Sequence, residues 1–140
     1  MVFYTIVITM FSFADKSDTT KDSELIEGFS DSDQKTIESV DAATFAQYVT
    51  SEKPILIDVR TEAEFTGERL EGAINIDYFD PLFHTRLREL DKHKKYAIYC
   101  RSGGRSVQTL LIMKEMMFRR VFDLQGGIIA WTREGLPTSR

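Results

Sequence analysis

The stretch "KYAIYCRSGGRSVQTLLIMKEMMF", residues 95–118, contains the change of pattern that decides the fold. Its first six residues are mostly apolar and predict a buried strand. Residues 106–118 predict a helix that is apolar on most of its sides. The five residues between these segments are only Gly, Ser and Arg, a composition that is typical of a tight loop.

The same alternation of strand and helix continues along the rest of the chain. Further strands are predicted at "ILIDV" (55–59), "GAINI" (72–76) and "VFDL" (121–124), with a short extended piece before Asp41. Helices are predicted after Asp41, after Thr61, which stands at capping-box spacing from Glu64, after Asp80-Pro81 and after Gly126-Gly127. The pattern predicts one α/β domain over residues 37–140, with a central parallel sheet and helices on both faces.

Composition excludes several classes of protein. The 140 residues are 42% hydrophobic and 29% charged, as in an ordinary globular domain, and the net charge is only −4. We therefore expect no nucleic-acid partner. The single cysteine excludes an internal disulfide and a zinc site built from several thiolates. With only two histidines besides, no metal site is expected.

The N-terminal segment leaves the localisation open. Residues 1–14 are apolar and uncharged, and they fit a cleavable signal peptide, a short anchor, a docking segment or a wrongly chosen start codon. The first reading predicts an exported or periplasmic protein, and without a signal peptide the protein is cytoplasmic. The run is too short for a stable membrane span. Residues 15–36 are acidic and polar and predict a flexible linker.

Cys100 is the candidate nucleophile, because it ends a predicted parallel strand where α/β sheets bind ligands. Gly103 and Gly104 let backbone amides approach a ligand, and Arg101 and Arg105 add positive charge. Together with the start of the next helix, these groups favour a thiolate and bind an anion beside it. The alternative is that Cys100 is a small, inert core residue. The composition of the loop favours the nucleophile.

Four blocks together resemble the rhodanese-like sulfurtransferases. "CRSGGRS" (100–106) is similar to the active-site loop of that family, and "ILIDVRTEAEF" (55–65) to its strand and Asp-Val-Arg motif. "GAINI" and "LQGGIIAW" (124–131) follow the family's next strand and its C-terminal motif, in the same order. The resemblance covers about residues 37–137 and implies a single rhodanese domain with about five parallel strands.

The resemblance also implies the chemistry. Cys100 would take a sulfane sulfur from a small anionic donor such as thiosulfate and hold it as a persulfide. Cyanide in the test tube, or a cellular thiol, would accept that sulfur, and no cofactor is needed. The residues that match the substrate-binding loop are Arg101, Ser102, Gly103, Gly104 and Arg105. Asp58 and Arg60 match positions that brace or line the site, and Asp58 is expected to be mainly structural, with a loop arginine as its candidate partner.

Other functions remain as alternatives. A persulfide carrier would use the same Cys100 to deliver sulfur to a protein partner. A phosphatase or arsenate reductase of the same fold has one more residue in its loop and usually a histidine before its cysteine. Here Arg105 is the fifth residue after Cys100, and Tyr99 precedes it. A domain that only binds would normally lack the cysteine.

Overall fold

The computed structural model describes residues 34–140, which form five strands and five helices. The strands are β1 (Thr36–Val40), β2 (Ile55–Asp58), β3 (Ile74–Asn75), β4 (Lys95–Tyr99) and β5 (Arg120–Leu124). The helices are α1 (Ala42–Glu52), α2 (Glu62–Gly67), α3 (Phe83–Glu89), α4 (Gly104–Glu115) and α5 (Gly127–Arg133). The predicted signal segment and residues 15–33 of the predicted linker lie outside the described residues.

All five strands are parallel and follow the order β1-β5-β4-β2-β3. This arrangement confirms the predicted α/β fold. Strand β4 lies in the middle, between β5 and β2, and residues 96–99 are almost completely buried. Because parallel strands end at the same edge of a sheet, the segments after β2, β4 and β5 are brought together there.

Side chains that alternate along the strands form a separate core on each face of the sheet. Ile57 and Ile98 face a core that α3 and α4 cover, with Leu110 and Met113 from α4. The other core lies under α1 and α5 and includes Tyr99. Each fully buried aliphatic side chain stabilises this arrangement by about 2 kcal/mol.

The first two helices begin at the predicted caps. The Asp41 carboxylate accepts a hydrogen bond from the Thr44 amide at 2.8 Å. The Thr61 hydroxyl accepts from the Glu64 amide at 3.4 Å, and Glu64 Oε2 accepts from the Thr61 amide at 3.0 Å. These bonds satisfy amides that the first helical turn leaves without partners.

Two elements differ from the sequence prediction. "GAINI" contributes only the two-residue edge strand β3, and Ile74 is 45% exposed rather than buried. The Asn75 side chain donates to the carbonyls of Asp58 and Arg60, and the amides of Ile76 and Tyr78 also donate to backbone carbonyls of this segment, so the chain stays beside β2 after the short strand ends. Helix α4 is buried on one side only, and Leu111 is exposed, because only that side faces the sheet.

No helix among residues 34–140 has the length and the apolar character that crossing a membrane requires.

The carboxyl end of β2 carries a buried ion pair between Asp58 and Arg60. Arg60 Nη2 lies 2.7 Å from Asp58 Oδ2, and the Arg60 amide and Nε donate to the same carboxylate. Arg60 Nη2 also donates to the carbonyl of Glu68, just after α2. The pair therefore fixes the turn from β2 into α2, beside the edge where Cys100 lies.

We predict that Asp58→Asn lowers the free energy of unfolding by about 3–5 kcal/mol, because it leaves the Arg60 charge buried without its partner. Denaturant unfolding at neutral pH measures this change. Asp91→Asn, at an exposed position, is the control and should change stability by less than about 0.5 kcal/mol. Equal effects of the two substitutions would contradict the prediction.

Candidate functional site

Cys100 directly follows β4, and only residues 101–103 separate it from α4. Gly103 precedes the helix with a φ of 104°, a conformation that glycine adopts without strain. Of the predicted loop residues, Arg101, Ser102 and Gly104 are exposed, Gly103 is buried and Arg105 is half-buried. The chain thus turns sharply from strand to helix around the cysteine, and Gly104 and Arg105 already belong to the first helical turn.

The Cys100 sulfur lies at the base of this turn. The residue is 1% exposed and belongs to the core that α3 and α4 cover. Its Sγ accepts a hydrogen bond from the Gly103 amide at 3.1 Å. An amide donor fixed at this position stabilises negative charge on the sulfur. Cys100 is therefore a buried residue whose sulfur nevertheless faces a polar loop.

A backbone contact with α5 holds the loop from the other side. The amide of Ile128 donates to the Cys100 carbonyl at 2.9 Å, and the amide of Ile129 donates to the Arg101 carbonyl at 3.2 Å. The helix can approach this closely only because residue 127 is glycine: a Cβ there would lie 2.4 Å from the Arg101 oxygen. The Gly-Gly motif thus supports the cysteine loop as well as starting α5.

The two loop arginines are in different environments. Arg101 is exposed, whereas Arg105 forms a bidentate ion pair with Glu64, with Nη1–Oε2 and Nη2–Oε1 distances of 2.9 and 3.0 Å. The ring of Phe79 lies over the Arg105 guanidinium, 5.7 Å from ring centroid to Cζ. The sequence identified Glu64 only as a helix cap. Its link to the loop could be found only by knowing that β2 and β4 are neighbours.

The ion pair changes the titration of Glu64. The hydrogen bonds from Arg105 are the main reason that the pKa of Glu64 falls from 4.5 to about 2, and those from Thr61 lower this pKa further. Burial acts in the opposite direction but is outweighed. Glu64 is therefore ionised across the physiological range and stays paired with Arg105.

Asp58 does not pair with a loop arginine, contrary to the sequence prediction. Its carboxylate binds Arg60 from the same motif, because the tight turn after β2 folds that side chain back. Arg60 in turn lies over the ring of Tyr99, 5.6 Å from the ring centroid, directly before Cys100. Asp58 and Arg60 thus stabilise the turn after β2 and contact Tyr99, rather than the Cys100 sulfur.

Two cavities lie beside α2. The smaller, of about 290 Å³, borders the loop through Arg101 and is also lined by Arg60 and Ile129. The larger, of about 580 Å³, is lined by no residue of the loop, and its wall includes the charged side chains of Glu62, Asp77, Asp80 and Arg86. In the described part of the chain, no group of three or more His, Cys, Asp or Glu side chains is placed to hold a metal ion.

Known proteins are similar to this chain both in sequence and in fold. The family model "Rhodanese-like domain" matches residues 41–134. A sulfurtransferase of Allochromatium vinosum is 35% identical over 102 residues, which cover 72% of this chain and 94% of that protein. "Thiosulfate sulfurtransferase 16, chloroplastic" of Arabidopsis thaliana is 34% identical over 95 residues, 59% of this chain and 77% of that protein. Among solved structures, a rhodanese-related protein from Thermoplasma volcanium has a TM-score of 0.61 at 28% identity, covering 73% of this chain and 97% of that one.

We predict that Gly127→Ala displaces the cysteine loop and lowers the free energy of unfolding by at least about 2 kcal/mol, because its Cβ overlaps two carbonyls and its φ is positive. Denaturant unfolding gives the stability, and the amide NMR shift of Gly103 reports the loop. Gly67→Ala, where a Cβ meets nothing within 4 Å, is the matched control. Similar stability loss in both variants, with an unmoved Gly103 amide, would refute this assignment.

We predict a pH-dependent contribution of Glu64 to stability. Its folded pKa of about 2 lies below the ordinary value of 4.5, so the contribution is complete above pH 4.5 and is lost as the pH falls toward 2. Glu64→Gln should cost about 1 kcal/mol at pH 7, and less as the pH falls from 4.5 to 3. Denaturant unfolding at each pH tests this, with Glu62→Gln as the control. If the stability difference between wild type and Glu64→Gln were the same at pH 4.5 and at pH 3, an energetic role for the ion pair would be excluded.

Proposed function

The chain belongs to the rhodanese-like domain family, and we propose that it transfers a sulfane sulfur from thiosulfate or a similar donor through a persulfide on Cys100. Sulfur transfer is the general activity that its sulfurtransferase relatives support. Thiosulfate is named for the plant relative, and the first donor to test here is therefore thiosulfate. The observation that carries the proposal is the hydrogen bond from the Gly103 amide to Cys100 Sγ at 3.1 Å.

The proposed reaction has two steps. The Cys100 thiolate attacks the outer sulfur of thiosulfate, the sulfur–sulfur bond of the donor breaks, and sulfite leaves with the bonding electron pair. The acceptor, cyanide or a thiolate, then attacks the outer sulfur of the persulfide. The persulfide bond breaks, thiocyanate or a new persulfide is released, and the Cys100 thiolate is restored.

The position of Cys100 favours a donor whose reacting atom is a single terminal atom. At 1% exposure, with α5 bound to the carbonyls of the loop, the cysteine has little room beside it. The terminal sulfur of a donor is a single atom, whereas a phosphate carries four oxygen atoms around its centre. This difference supports sulfur transfer over the alternative of phosphate or arsenate chemistry.

A persulfide carrier is the second candidate, and the position of Phe79 favours it. This ring is 67% exposed and lies over Arg105 at the start of α4. Exposed aromatic residues are enriched where proteins bind one another. In this case the acceptor is a thiol on a partner protein that contacts Phe79 while it takes the sulfur from Cys100.

We predict that the protein forms thiocyanate from thiosulfate and cyanide and that Cys100→Ser abolishes this activity, because serine cannot form a persulfide. Thiocyanate is measured colorimetrically, and mass spectrometry after thiosulfate alone should show one added sulfur on the wild-type protein only. Thiocyanate formation by Cys100→Ser at the wild-type rate would contradict the proposal. An added sulfur without turnover of small acceptors would favour the carrier, and hydrolysis of an aryl phosphate without sulfur transfer would favour a phosphatase.

A further inference from the structure

The loop around Cys100 carries less effective positive charge than its sequence indicates. Arg105 is neutralised by Glu64 through two hydrogen bonds, in a pair whose side chains are only 20% and 27% exposed. Arg101 is exposed, so solvent and salt screen its charge. An anion that approaches the sulfur therefore meets a guanidinium whose charge is already balanced.

The pair is held in place from both sides. Glu64 Oε2 also accepts hydrogen bonds from the Thr61 amide and hydroxyl, both at 3.0 Å, so the capping box fixes the carboxylate. Phe79 covers the guanidinium of Arg105. Glu64 occupies two of the five N–H donors of Arg105, so a donor oxygen that binds the remaining ones meets a guanidinium whose charge Glu64 already balances. The second negative charge of a dianionic donor therefore gains little interaction energy from Arg105.

The charge balance of Arg105 affects a dianion more than a monoanion. A donor with one charge fewer than thiosulfate carries an organic group where thiosulfate has a charged oxygen. Such a donor loses less when Glu64 neutralises the guanidinium, because it has no second charge to pair with it.

We propose that Glu64 is a specificity-determining residue, which favours monoanionic organic sulfur donors over the dianion thiosulfate by neutralising Arg105. This inference rests on the proposed transfer of sulfur through Cys100 and narrows its donor class. Glu64 acts through the charge balance of Arg105. Thiosulfate remains a substrate, but a weaker one than a donor of the same shape that carries a single charge.

The test compares thiosulfate with methanethiosulfonate, in which a methyl group replaces one charged oxygen. Both donors transfer their outer sulfur to the Cys100 thiolate in the same way. The sulfur–sulfur bond breaks, and sulfite or methanesulfinate, respectively, leaves with the electron pair. The wild-type protein should have the higher kcat/KM for methanethiosulfonate, with cyanide as the common acceptor.

Glu64→Gln removes the charge but retains the side-chain oxygen that the capping box requires. We expect this variant to raise the ratio of kcat/KM for thiosulfate to that for methanethiosulfonate roughly tenfold, because one unit of negative charge is lost at ion-pair range. Glu62→Gln removes the same charge from the same first turn of α2, and Glu62 makes no hydrogen bond or ion pair with Arg105. Its ratio should change less than about twofold, since its charge is screened.

The outcomes separate this inference from the proposed function. If neither donor adds sulfur to wild-type Cys100 in the mass spectrum, sulfur transfer itself is wrong. If both donors add sulfur but wild type prefers thiosulfate, the role of Glu64 is refuted while sulfur transfer stands. The same conclusion follows if Glu64→Gln and Glu62→Gln shift the ratio equally, or if neither shifts it. Circular dichroism confirms that the variants compared are folded.

Discussion

The site depends on a contact between two pieces of backbone. The first amides of α5 donate to the carbonyls of Cys100 and Arg101, and this fixes the loop in which the Gly103 amide reaches the sulfur. The contact requires glycine at position 127, because any Cβ would overlap those carbonyls. A motif 27 residues further along the chain therefore sets the geometry around the cysteine.

The segment after β2 serves the same site through two ion pairs of different kinds. Asp58 and Arg60 form a buried pair that fixes the turn and supports Tyr99. Glu64 and Arg105 form a partly exposed pair that sets the charge of the loop. We expect removal of either partner of the buried pair to affect mainly folding, since both side chains are almost completely buried. Changing the partly exposed pair is expected to alter mainly the charge of the loop.

Local patterns predicted much of this molecule, because they reflect local physics. The apolar runs before Asp58 and Cys100, the cap at Asp41 and the capping box at Thr61 follow from side chains close in sequence. The partner of Arg105 did not follow, because it depends on β2 lying beside β4. Strand order is a property of the whole sheet, and no short segment encodes it. The pairing of Asp58 with a loop arginine was wrong for a local reason, because the turn after β2 folds the Arg60 side chain back onto the Asp58 carboxylate.

Helix α2 is six residues long and buries no side chain, so few contacts hold it against local opening. Its first turn and the Arg105 pair share one carboxylate, that of Glu64. When that turn frays, on a timescale of about 0.1–1 μs, Glu64 loses its anchor and Arg105 its partner. The charge that Arg105 presents beside the cysteine therefore depends on one short helix, and a solvent or temperature that melts this helix would release that charge next to Cys100.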